Sequence, residues 1–221
     1  AGAPPQSDGP VCQHERMALV LDPSATAVVT MECQRGVVGD RATFPALAAA
    51  VVEVGLLDRL AELVTTARAR HVPVVHALAH FRADRIGSPT NAPLLRAAAR
   101  IEGQLVEGSA AAEVVPEIGA EGDLPSARHH GVSPFGGTDL DPLLRSLGVS
   151  TVVACGASLN VGVLGLCIEA VNLGYQVVVA TDATVAVPPA YAEAVLAGTV
   201  AQLARLVTVE DLRRAWDGAA P

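Results

Sequence analysis

A handful of the chain's titratable residues stand where an apolar run ends, and their positions suggest where chemistry would sit. Glu32 follows the apolar, β-branched run Thr26-Ala-Val-Val-Thr-Met31. A carboxylate there is either a half-desolvated acid suited to proton transfer or one half of a structural pair with an arginine. His129 and His130 are adjacent, so on a strand only one of them can face a site. An imidazole is well matched to proton exchange near neutrality, and the competing reading is a satisfied core histidine. Gly156-Ala-Ser-Leu-Asn-Val-Gly162 has the composition of a strand-to-helix turn. Backbone N–H groups at such a turn can hold a carbonyl or carboxylate, and the plainer reading is a tight turn. His76 and His80 invite a metal reading. Four residues along an extended strand separate them by ~13 Å, too far to share one ion unless the chain turns, so no metal is expected.

Other chemistries are excluded by what is missing. All 15 Lys and Arg positions are Arg, which removes Schiff-base, P-loop and amine-dependent mechanisms. Cys12, Cys33, Cys155 and Cys167 show neither CxxC spacing nor a secreted-domain framework. Cys33, Cys155 and Cys167 lie in apolar surroundings and read as small buried hydrophobes.

These residues must be positioned by an alternating pattern of strands and helices. Residues 1–23 form a Pro- and Gly-containing arm, and residues 24–217 a single domain. Strands are expected over Thr26–Glu32, Val72–His76, Arg128–His130, Ser150–Cys155, Gln176–Thr181 and Val207–Val209. Long helices are expected from Pro45 to about His71 and from Pro189 to Leu206, with shorter ones over 96–112 and 140–147. A further helix should follow the 156–162 turn through Asn172. The stretch from His80 to Ala127 is too long for a simple connection and marks a functional insertion. The predicted fold is a three-layer α-β-α sandwich around a mostly parallel sheet of about six strands. Ligands of such sheets bind outside the carboxyl ends of the strands. Periodicity puts Glu32, His76, His129, Gly156 to Asn160 and Thr181-Asp182 there.

Composition narrows the partners. With 221 residues, one well-buried core is expected. A net charge of −8 and 3% aromatic content argue against phosphate-backbone binding and base stacking. The most apolar stretch, 149–166, is broken by Ser150, Gly156, Ser158, Asn160 and Gly162, so no membrane span is expected. Without a signal-peptide pattern, a cytoplasmic location is the default expectation.

Four segments in order resemble the isochorismatase-like hydrolases, also called cysteine hydrolases and including nicotinamidases. Val28-Val-Thr-Met-Glu-Cys-Gln34 is similar to the family's apolar strand ending Asp-x-Gln. His129-His-Gly-Val-Ser-Pro-Phe-Gly-Gly-Thr138 is similar to its Lys-x-x-x-Ser-Ala-Phe-x-Gly-Thr. Cys155-Gly-Ala-Ser-Leu-Asn-Val-Gly162 resembles its Cys-Gly-x-x-Thr-x-x-Cys turn, and Gly174-Tyr-Gln-Val-Val-Val-Ala-Thr-Asp182 its Gly-Tyr-x-Val-x-Val-x-x-Asp strand.

The resemblance implies that the family's Asp, Lys and nucleophilic Cys are replaced by Glu32, His129 and Gly162, the spacing to Ser133 selecting His129. The family's isochorismatase branch also has Gly at the third position and works without a covalent intermediate. The implied activity is therefore a small-molecule hydrolase using acid–base chemistry, with Glu32 and His129 titrating as a coupled pair. The alternative is a catalytically retired member that binds a ligand or a protein. Gln34, His76, Ala157, Ser158 and Asn160 are the expected substrate-binding residues, with no cofactor. A cis peptide between Ala157 and Ser158 and assembly into a dimer or larger homo-oligomer are also implied.

Overall fold

The computed structural model describes residues 19–218; most of the expected N-terminal arm lies outside them. Six strands form one sheet: β1 (Thr26–Met31), β2 (Val74–Ala79), β3 (Leu124–Arg128), β4 (Thr151–Ala157), β5 (Gln176–Val185) and β6 (Arg205–Val207). Their order is β3-β2-β1-β4-β5-β6, and every pairing is parallel. Every residue of β1, β2 and β4 is buried, as expected of central parallel strands covered on both faces.

One face is covered by α1 (Pro45–Glu53), α2 (Leu56–Ala69) and, at the chain's end, α7 (Val209–Asp217). Leu56, Leu60, Leu63 and Val64 of α2 pack there with Leu212 and Trp216 of α7. The opposite face is covered by α4 (Leu140–Ser146), α5 (Leu164–Asn172) and α6 (Ala192–Gly198). Leu140, Leu144, Leu166, Cys167 and Val195 form the core on that side. The remaining helix, α3 (Pro93–Ala99), buries none of its residues.

Several boundaries differ from expectation for local reasons. The helix expected from Pro45 to His71 breaks at Val54-Gly55, where Gly55 adopts φ +63°. A glycine carries that left-handed turn without the steric penalty a Cβ would add. The helix expected over 189–206 is reduced to α6 between two short 3-10 turns. Within 96–112 only the start is helical, as part of α3. Most consequential, β3 spans Leu124–Arg128 rather than Arg128–His130, so the chain has already left the sheet at His129.

β1 lies between β2 and β4, so the chain crosses from one side of β1 to the other on passing from β3 to β4. That reversal opens a crevice at the carboxyl edge, where ligands of such sheets bind. Glu32, His129 and Gly162 follow β1, β3 and β4 respectively and lie at this edge.

Candidate active site

Glu32 is positioned by a break in the backbone. Its N–H still donates to Ala77 O at 2.9 Å, extending the β1–β2 ladder by one bond. Its φ of 49° then lies in the left-handed region, which non-glycine residues seldom occupy. Such a conformation costs about 1–3 kcal/mol and persists where the surroundings fix it. Beyond it, Cys33 is fully buried in the core beneath α2 and Gln34 is fully buried as well.

Above Glu32 opens a cavity of about 290 Å³. Its floor carries Glu32, Arg128, Ser158, Asn160 and Gly162, and its walls are largely apolar, with Phe44 and Leu47 from the α1 side, Leu94 and Leu95 from α3, and Phe81 and Val161 between. The insertion thus contributes a wall of the cavity. Among the lining residues only Glu32 and Arg128 carry ionisable side chains.

The basic partner of Glu32 is Arg128. Its Nη2 donates to Glu32 Oε1, its Nε donates to Gly131 O at 3.2 Å, and the residue is 4% exposed. Its Nη1 is buried without a partner among the described residues. A buried donor left unpaired costs about 1–3 kcal/mol. No hydrogen bond reaches Glu32 Oε2 among the described residues, which leaves that oxygen open to the cavity's contents.

His129 does not occupy the expected place. Its side chain is exposed, its Nδ1 lies 2.7 Å from His80 O, and it does not line the cavity. The cause is the earlier end of β3. Alternation along this strand turns Ser126 and Arg128 inward, and the chain bends away one residue later. Counting four residues back from Ser133 selects His129. Counting five, to the last residue of the strand, would have selected Arg128.

Two further expected binding residues are engaged elsewhere. Gln34 receives Ala79 N on its Oε1 at 2.8 Å and donates through Nε2 to Ala79 O and Ala112 O at 3.0 and 2.8 Å. Its amide is consumed in tying the insertion to β2, and it does not line the cavity. His76 lies under the sheet's α2 face in a buried chain of contacts. Its Nε2 is 3.0 Å from Asp123 Oδ2 and its Nδ1 is 2.7 Å from Thr30 Oγ1. Since a carboxylate only accepts, Nε2 carries the hydrogen and Thr30 donates to Nδ1. Burial pushes the His76 imidazole below its usual range, against the opposing pull of Asp123. Burial would raise the Asp123 carboxyl, but hydrogen bonds from Arg68 and His76 outweigh it and hold that group low.

In the turn after β4, Ser158, Asn160 and Gly162 line the cavity, whereas Ala157, also expected to bind substrate, is fully buried and does not line it. The peptide between Ala157 and Ser158 is cis. Asn160 clasps Val187 through both amide atoms, at 3.4 and 3.3 Å, fixing the turn against the end of β5. At Gly156, φ is +101° and a Cβ would lie 2.4 Å from Met31 O, so only glycine fits. At Gly162 a Cβ would come within 3.0 Å of Ala157 O and 3.1 Å of Met31 Cε. The Met31 side chain therefore crowds the space that a nucleophile at position 162 would need.

No cysteine lines the cavity among the described residues. Burial pushes the Cys33 and Cys167 thiols up to about 12 and raises Cys155 as well. Cys12 lies outside the described residues. Among the described residues, no group of three or more His, Cys, Asp or Glu side chains is arranged to hold a metal ion, and no helix is long and apolar enough to cross a membrane.

Comparison with known proteins bears on the family and the fold. The family described as the isochorismatase domain matches residues 26–211. An uncharacterized isochorismatase family protein of Bacillus subtilis, YwoC, is 44% identical over 72 residues, 33% of this chain and 38% of that protein. The matched stretch thus spans well under half of that curated relative. A cysteine hydrolase from Pseudomonas syringae pv. phaseolicola superposes with TM-score 0.76 at 21% identity, covering 93% of this chain and all of the other. An isochorismatase family protein from Desulfovibrio vulgaris gives TM-score 0.74 at 28% identity, covering 87% and 98% of the two chains.

Proposed function

Because the chain belongs to the isochorismatase family, we propose that it is a small-molecule hydrolase working by acid–base chemistry without a covalent intermediate. One observation carries this reading: Glu32 stands at the floor of an open cavity as the one lining side chain of acid–base type besides an arginine. An arginine keeps its proton at neutral pH, so Arg128 serves as a fixed charge and donor rather than as an acid or base. Glu32 Oε1 is held by Arg128. The free Oε2 is then the atom that takes a proton from an attacking water or gives one to a leaving group. The donors of Arg128 and of the 158–162 turn stand beside the same cavity, where charge developing on a substrate oxygen would be stabilised.

Gly162 rules position 162 out as a nucleophile, and the buried, proton-retaining thiols of Cys33, Cys155 and Cys167 offer no substitute. An open cavity also suits the competing reading, a retired member that only binds a ligand, and His129 does not converge on Glu32; what favours the enzyme is that an acidic and a basic residue still stand together at the cavity floor.

The test is a panel of small amides, esters and enol ethers incubated with wild type, with acid-quenched samples weighed as intact protein. Product formation with no mass increment on the protein is expected. Turnover accompanied by an acyl adduct would refute the non-covalent mechanism, and binding without turnover across the panel would favour the retired member.

A further inference from the structure

We infer that α3 is the specificity element of the cavity, its apolar face packing against an uncharged hydrocarbon group of the substrate larger than a single aromatic ring. The inference rests on the reading of the site as a hydrolase cavity and names the class of substrate it accepts.

Three observations carry it. First, α3 has an apolar face with no core to cover it. The helix buries none of its residues, Leu94 is 44% exposed, and Leu94, Leu95 and Ala98 belong to neither core cluster among the described residues. Their spacing puts these three on one side of the helix, and all of them line the cavity. Apolar side chains held against a void forfeit the contacts a core would give them, and a hydrocarbon occupant supplies those contacts. Second, the space has the size and character of such a group. The cavity of about 290 Å³ is roughly twice the ~150 Å³ apolar cavity that takes up a benzene, so a body larger than one ring fits above the floor. Phe44, Leu47 and Phe81 complete its apolar walls. Third, the charged lining side chains, Glu32 and Arg128, are paired with each other on the floor. The walls therefore offer no charge to a ligand, and a charged group lodged against α3 would lose its hydration without compensation.

Benzyl alcohol and naphthylmethanol carry the same neutral head on a single and a fused double ring. Neither can be hydrolysed, so their affinities, measured by calorimetry, read recognition apart from turnover. Wild type should bind the naphthyl probe at least ~10-fold more tightly, from the additional apolar surface it buries. Ala98→Trp fills the space beside α3 and should remove that preference. Ala99→Trp should keep it, because Ala99 lines no part of the cavity. Leu94→Ser combined with Leu95→Ser should weaken naphthyl binding by ~10-fold or more. Since α3 buries no residue, circular dichroism should be unchanged in these variants. Equal affinity of wild type for the two probes, no binding of either, or a preference that survives both Ala98→Trp and the double substitution would overturn the inference. A double variant that shifts toward monomer in light scattering with its naphthyl affinity unchanged would overturn it too, since a second copy of the chain would then be what covers α3. The expected pattern in a protein that turns over no substrate would leave this inference standing and sink the hydrolase reading. Turnover at equal kcat/KM for benzyl acetate and naphthylmethyl acetate would sink this inference and leave the hydrolase reading standing.

Discussion

Glu32 and Arg128 share a site because β1 and β3 end at the same edge of the sheet, Glu32 as the residue after β1 and Arg128 as the last residue of β3. Glu32 was legible in the sequence as a carboxylate closing an apolar strand, and an arginine pair was one of its two readings. Arg128 was not legible, because the adjacent histidines drew attention to the residue after the strand rather than its last one. Its signal was present all the same: a basic residue in the Lys-free chain, five before Ser133. It follows that His129→Ala should leave the rate within about 3-fold of wild type, because the ring is exposed and lines no cavity. A loss of 100-fold or more would return His129 to the site. Treatment with a small alkylating agent should leave activity intact, since the described thiols are buried and hold their protons. Complete inactivation with circular dichroism unchanged would contradict that. At Gly162, an added methyl must displace Met31, so Gly162→Ala should cost about 1–3 kcal/mol in denaturant unfolding, the range of an overpacked core. A stability equal to wild type would mean that Met31 gives way freely.

At the scale of elements, β1 and β4 were legible from their buried, β-branched runs, whereas β3, only partly buried and without such a run, was expected over Arg128–His130 and lies at Leu124–Arg128. The helices were misread where a single residue changes the backbone. Gly55 divides the first helix, and the insertion has no periodicity to reveal that only Pro93–Ala99 is helical. Nor could spacing show that Asp123, at the entry to β3, meets His76 of β2 and Arg68 of α2. That buried contact gives stability a pH dependence of definite sign. With its imidazole held below the usual value, folded His76 takes up a proton less readily than unfolded His76. As pH falls below about 6.5, the unfolded chain binds more protons and stability is lost. The low Asp123 carboxyl adds a further loss below about pH 4 by the same linkage. The urea midpoint should therefore fall between about pH 7.5 and 5.5, and His76→Gln should be less stable with a shallower slope. A midpoint that rises on acidification would contradict this account of the pair.

On the scale of the whole molecule, the three-layer architecture followed from alternation of strand and helix, and the six parallel strands match it. Surface character is less legible, since periodicity does not say which apolar residues stay uncovered. Ile168, Val171 and Leu173, on α5 and at its end, are 42%, 39% and 40% exposed, although α5 buries its other face in the core. Apolar residues grouped on a surface helix favour self-association. The protein should therefore scatter light as a dimer or larger at micromolar concentration, and Ile168→Asp with Val171→Asp should shift it toward monomer. A monomer in wild type would count against a role for this face.

The claim on which the account turns is that Glu32 exchanges the proton in catalysis. Its most direct test is kcat/KM for wild type and Glu32→Gln on one substrate in one assay, with both proteins folded by circular dichroism. The substitution keeps the side chain's shape and removes the exchangeable proton. A loss of ~10²–10⁴ is predicted, the usual contribution of one positioned acid–base group. Equal rates in the two proteins would contradict the mechanism.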